Sequence, residues 1–137
     1  MKAKDFIALC KEARDESQEQ REVNIYCTRK KIPMFAIPNG THKSIAARQK
    51  FKAEGLKAGV PDLMIPYPNN NYHGLFIEMK QRPKTLKNGS KSYANIKVSP
   101  EQDKWILRLR EQGYEAKVCY GADEAIELIE EYMSECV

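Results

Sequence analysis

The feature that most restricts the fold is a turn that no helix can cross. Pro66-Tyr67-Pro68-Asn69-Asn70-Asn71 places two prolines and three asparagines within six residues. Short apolar runs flank it. Gly59-Val60-Pro61 leads into Asp62-Leu63-Met64-Ile65 on one side, and Gly74-Leu75-Phe76-Ile77-Glu78-Met79-Lys80 follows on the other. Runs of this length bounded by Gly, Pro and Asn predict the two arms of an antiparallel hairpin. Side chains alternate along a strand, so Glu78 and Lys80 share one face while Ile77 and Met79 occupy the other. Asp62 begins the neighbouring arm, and pairing gathers two carboxylates and an ammonium at one end of a sheet.

The remaining pattern places helices around that hairpin. Residues 3 to 31 contain no Gly or Pro and space Phe6, Leu9, Cys10 and Ala13, then Val23, Tyr26 and Cys27, as one long helix or two in tandem would. Pro33 ends this stretch. Met34-Phe35-Ala36-Ile37 reads as a short buried strand closed by Pro38-Asn39-Gly40, and Thr41 or Ser44 then caps a helix reaching about Glu54. Periodicity disappears between Gln81 and Lys97, which predicts a long, exposed, lysine-rich loop. Ser99 and Pro100 open a helix that stops at Gly113. Tyr114 to Tyr120 is a strand, and a last amphipathic helix from Ala122 turns Ala125, Ile126, Ile129 and Met133 inward. Helices and strands thus alternate through one domain spanning 1–137, an α/β class with a central sheet.

Charge is distributed unevenly. Residues 41 to 97 carry eleven Lys/Arg against three acids, whereas residues 98 to 137 carry four against ten. A basic middle with few acids is a candidate footprint for a polyanion, and its alternative is a solvated loop. The four cysteines, Cys10, Cys27, Cys119 and Cys136, have no CxxC or Cys/His spacing and read as reduced thiols. His42 and His73 match no metal spacing either. No apolar run approaches the roughly 18 residues of a membrane span, and the charged N-terminus lacks the apolar region of a secretion signal. A cytoplasmic protein is expected.

Adjacent carboxylates repel unless a cation lies between them, and hard oxygen donors suit Mg²⁺ or Mn²⁺. With a lysine alongside, such a site matches hydrolysis of a phosphodiester. An E-x-K triplet alone carries little weight. Glu115-Ala116-Lys117 repeats the pattern on another expected strand, without a Pro-Asp arm before it, and ion pairing between strands accounts for it.

Longer motifs are more specific. Ala36-Ile37-Pro38-Asn39-Gly40, Gly55 through Leu63, His73 through Lys80 and Leu107 through Tyr114 together resemble the VRR-NUC family of PD-(D/E)xK nucleases, notably its small phage and prophage members. The resemblance covers about residues 16 to 130. It implies a restriction-endonuclease-like α/β core with a mixed sheet flanked by helices, and Mg²⁺- or Mn²⁺-dependent cleavage of DNA. Asp62, Glu78 and Lys80 would form the catalytic centre, with the Met79 backbone carbonyl among the metal ligands. Glu16 would be a further acid, with Glu19 as its rival, and Gln20 and Gln102 would face the substrate and the site. The family's stand-alone members imply a homodimer acting on branched DNA such as four-way junctions, in a bacterial host cell if the chain is phage-encoded.

The segment from Arg82 to Val98 is an insertion relative to the compact family pattern. It reads as a basic flap that brings Arg82, Lys84, Lys87 and Lys91 to DNA, or as a disordered insertion. Asn39, His42, Lys43, Arg48, Lys50 and Lys52 are further candidates for phosphate contact. Two other readings stay open: a nucleic-acid-binding module without catalysis, or a nuclease that needs a partner protein.

Overall fold

The structure is a computed structural model that describes residues 14–38 and 44–136. Helix α1 (Glu16–Lys30) begins with a reciprocal cap, in which Asp15 accepts from the Gln18 amide and Gln18 accepts from the Asp15 amide, each at 2.9 Å. It is followed by β1 (Phe35–Ala36) and by helix α2 (Ile45–Ala53), which is capped by Ser44. Strands β2 (Leu63–Ile65) and β3 (Leu75–Lys80) form the hairpin. A ribbon of β4 (Lys84–Thr85) and β5 (Lys91–Ser92) follows, then helix α3 (Pro100–Glu111), strand β6 (Glu115–Tyr120) and helix α4 (Ala122–Ser134).

The main sheet runs β1-β2-β3-β6. Its first two pairings are antiparallel, and β6 joins β3 in parallel through the crossover that contains α3. Both faces are covered, as the parallel pair β3-β6 requires. On one face Leu63, Ile65, Leu75, Ile77, Met79 and Cys119 meet Val23 and Cys27 of α1 and Ala125, Leu128, Ile129 and Tyr132 of α4. On the other, Phe76 and Ala116 meet Ile106 of α3. Side chains of this size each contribute about 1.5–3 kcal/mol on burial, so these two layers hold the strands in register. The central strand β3 is buried along its whole length.

Three expectations are revised. The strand after Pro33 is not buried: it is the sheet's outer edge, pairs over two residues, and leaves Phe35 47% exposed. The stretch after Lys80 is not wholly irregular, because Lys84 pairs with Ser92 and Thr85 with Lys91 around a turn closed by the Leu86 amide donating to Ser90. In α4 the buried positions also include Leu128 and Tyr132, and Ile126 and Met133 pack against the core while only partly buried. Of the helix expected over 3–31, the part before Arg14 lies outside the described residues, as do Cys10 and Thr41. Among the described residues no helix is long and apolar enough to cross a membrane.

Candidate active site

The hairpin register determines the site. Leu63 pairs with Ile77, so Asp62, one residue earlier, stands beside Glu78. Glu78 and Lys80 share the parity of Phe76 and therefore the face that α3 covers. The Met79 amide donates to Asp62 Oδ2 at 2.8 Å, which fixes that carboxylate against the β3 backbone. Glu78 is 3% exposed and Lys80 6%. Their charged ends lie 3.7 Å apart, and Glu16 at the start of α1 reaches to 4.0 Å from the same ammonium.

Helix α3 supplies the next contact. Its N-cap Ser99 accepts from the Gln102 amide at 3.2 Å, and the Gln102 side-chain oxygen accepts from the Ser99 amide at 2.8 Å. The side-chain nitrogen of Gln102 remains free for Glu78 and donates to Oε1 at 2.8 Å. The approach of α3 depends on Gly59. Its φ is +87°, and a Cβ there would lie 2.6 Å from the Glu101 carbonyl carbon. Glycine thus lets the segment entering Pro61-Asp62 pass directly over the start of the helix.

Electrostatics follow from burial. Desolvation, then the neighbouring Asp62 charge, push the Glu78 carboxyl up to about 8, although Lys80 opposes them. Asp62 is raised by burial and held back by the Met79 amide, Glu78 and Lys80. Glu16 is raised by burial, with Lys80 opposing and Asp62 adding to the rise. Three acids around one lysine thus form a site that favours an additional cation. Among the described residues no group of three or more His, Cys, Asp or Glu side chains is arranged to hold a metal ion. The adjacent carboxylates of Asp62 and Glu78 are the hard oxygen donors that suit a divalent ion.

A matching family model spans residues 9–123 and describes the VRR-NUC domain. The chain belongs to the VRR-NUC family. A solved VRR_NUC domain protein superimposes with a TM-score of 0.72 at 29% identity, covering 90% of this chain and 92% of that one. No curated protein matches the chain. VRR-NUC is a family of PD-(D/E)xK nucleases, and the mixed sheet flanked by helices is the fold of that matched structure.

Other residues singled out in the sequence lie at varying distances from this VRR-NUC centre. Gln20 is half-buried, one turn along α1 from Glu16. Arg48, Lys50 and Lys52 are exposed on α2, and Lys84, Lys87 and Lys91 are exposed on the ribbon, where Lys91 Nζ also donates to Thr85. Asn39, His42 and Lys43 lie outside the described residues. Arg82 is one-third exposed, and its guanidinium donates twice to Glu19, at 2.8 and 3.1 Å.

The same contact separates Glu16 from its rival. Glu16 is half exposed beside Lys80, whereas Glu19 is fully buried behind it. Glu19 also accepts from the Ala122 amide, capping α4 where the N-cap Gly121 offers no side chain. Arg14 Nε lies 2.8 Å from Glu19, close enough for charge pairing but without the angle of a hydrogen bond. Sequence spacing did not reveal this knot, since Arg82 is 63 positions away from Glu19. A helix starting after glycine with no capping side chain was the one available sign.

Proposed function

We propose that the chain is a Mg²⁺- or Mn²⁺-dependent DNA endonuclease that prefers branched substrates such as four-way junctions and acts as a homodimer. The observation that carries this reading is the half-buried Asp62 paired with a buried Glu78 beside a buried Lys80, within a family of nucleases. Asp62, Glu78, the Met79 carbonyl and Glu16 are the residues that would hold the ion. A divalent cation in that position would neutralise the scissile phosphate and lower the pKa of an attacking water.

The chain's own groups have separate tasks in this scheme. Lys80 orients the attacking water and offsets charge that develops on the phosphoryl oxygens. Gln102 holds the Glu78 carboxylate in place by donating to Oε1, the oxygen nearest Lys80. The exposed lysines of the ribbon and the cations of α2 neutralise flanking phosphates without reading sequence. Twofold symmetry gives two active centres, which suits a substrate with two strands to cut.

The test is cleavage of a labelled four-way junction beside matched duplex and single strand, with Mg²⁺, Mn²⁺ or EDTA, together with light scattering to obtain the mass in solution. Metal-dependent cutting lost in Lys80→Ala supports the centre, and selective cutting of the junction by a dimer supports the finer reading. A folded protein that cuts none of these would leave a binding module or a nuclease requiring a partner.

A further inference from the structure

Helix α2 differs from the other helices. It buries none of its residues, and no other helix or strand among the described residues packs extensively against it. A nine-residue helix is marginal without tertiary support, so its stability draws on whatever covers its apolar side. Between α2 and the chain that follows lies a cavity of about 370 Å³. Ile45, Leu56 and Ala58 supply its apolar surface, and Arg48, Gln49, Lys52 and Lys57 complete a lining that contains no acid. This volume falls at the lower end of ligand-sized clefts, roughly 300–1,000 Å³.

Three cations without an anion select a polyanionic occupant. Phosphate alone leaves the apolar wall unused, and an apolar ligand alone leaves the cations unused. A nucleotide within a strand satisfies both, with its base against the wall and its flanking phosphates against the cations. The position is suitable as well. Ala58 precedes Asp62 by four residues, a span of at most ~14 Å, or about four stacked nucleotides. The intervening Gly59 is packed against Glu101, which ties the cleft to the catalytic end of the sheet.

We propose that this cleft is a subsite for one unpaired nucleotide of the substrate strand, a few nucleotides from the scissile phosphate. The inference rests on the nuclease reading for its substrate and adds a physical basis for selectivity. A paired and stacked base cannot enter the cleft, so disrupted duplex binds better than continuous duplex. Apolar contact with a base face does not read its edges, so the preference is independent of sequence.

Binding is measured in EDTA with a 2-aminopurine in a one-nucleotide gap and, separately, within continuous duplex. Wild type is expected to change the gap probe's fluorescence and to prefer gapped DNA by about tenfold. Ala58→Trp, which fills the cleft, removes both effects. Lys57→Glu, a gentler surface change, lowers the slope of log affinity against log salt by about one. Wild-type selectivity in a folded Ala58→Trp overturns the proposal. Loss of self-association in that variant, with selectivity kept, would assign the cleft to a second copy of the chain. Cutting with Mn²⁺ is assayed in parallel. If wild type cuts while Ala58→Trp retains full selectivity, only the subsite fails; if nothing is cut but the gap response disappears in Ala58→Trp, the subsite stands and the nuclease reading fails.

Discussion

Two neighbouring strands carry the same triplet with different surroundings. Glu78-Met79-Lys80 ends β3, and Glu115-Ala116-Lys117 begins β6, the parallel strand beside it. In register, Glu115 stands level with Leu75 and Lys117 with Ile77, whereas Val118 and Tyr120 stand level with Glu78 and Lys80. The β6 pair is therefore displaced toward the opposite end of the sheet from Asp62. Its lysine is 51% exposed and lies 3.3 Å from its own strand's glutamate, a surface ion pair rather than the pairing between strands expected from sequence. Glu78 and Lys80 are buried together next to a second carboxylate. The chemistry lies in the position along the sheet, and the triplet is only its most visible part.

That contrast is open to direct attack by substitution. The largest effect is expected on activity: Lys80→Ala or Glu78→Gln lowers the rate of metal-dependent cleavage by about 10³-fold, and Glu115→Ala changes it by less than about twofold. Comparable losses from the two triplets in a gel assay would erase the distinction. The next effect is on stability. Glu19→Ala removes both hydrogen bonds of Arg82, leaving it Glu22 and Asp123 at 4.0 Å, and leaves α4 without its cap, at a cost of about 3–5 kcal/mol in urea unfolding, whereas Glu115→Ala costs no more than ~1 kcal/mol. Equal shifts in midpoint would show that burial does not separate these acids.

The third expectation concerns pH. Glu78 is raised from 4.5 to about 8 in the fold, so the native state holds its proton more tightly than the unfolded chain. Without metal, the Glu78 contribution to stability is therefore full below about pH 4.5 and is lost as pH rises through about 8. A divalent ion must displace that proton, and the rise in melting temperature on adding Mn²⁺ should be larger at pH 8 than at pH 6. Glu78→Gln should flatten both trends; an unchanged profile would place the responsible proton elsewhere. The smallest effect belongs to the ribbon. Replacing Lys84, Lys87 and Lys91 by Ala should reduce the salt slope of DNA binding by about two to three with little change in melting temperature, and an unchanged slope would remove the ribbon from the interface.

Local rules read the hairpin well. Alternation along β3 and the Pro/Asn-rich turn were sufficient to bring Asp62, Glu78 and Lys80 to one end of the sheet, because register follows from the turn and the buried face. The Ser99-Pro100 helix start was equally legible, because capping is decided within four residues. Contacts set by tertiary packing were not. Nothing near Glu19 in sequence identifies it as buried, since its partners come from Arg82 and the Ala122 amide. Phe35 carries the apolar character of a core strand but lies on an edge, a fact decided by how many strands follow it rather than by the residue itself. The ribbon escaped notice because its two-residue strands are too short for periodicity, and it is held by its base, where Tyr93 packs edge-on against Tyr120 with ring centres 5.0 Å apart.

Gln102 is subject to two constraints at once. A helix start of this kind accepts glutamate or glutamine at its third position. Here glutamate would complete the cap equally well but would turn a second carboxylate toward Glu78, while the amide has a donor to spare after the cap is closed. The choice between two otherwise interchangeable residues therefore records the presence of an acid on another element, 24 positions away. A glutamine where glutamate would serve is a trace, written into one helix, of the charge it must tolerate across the sheet.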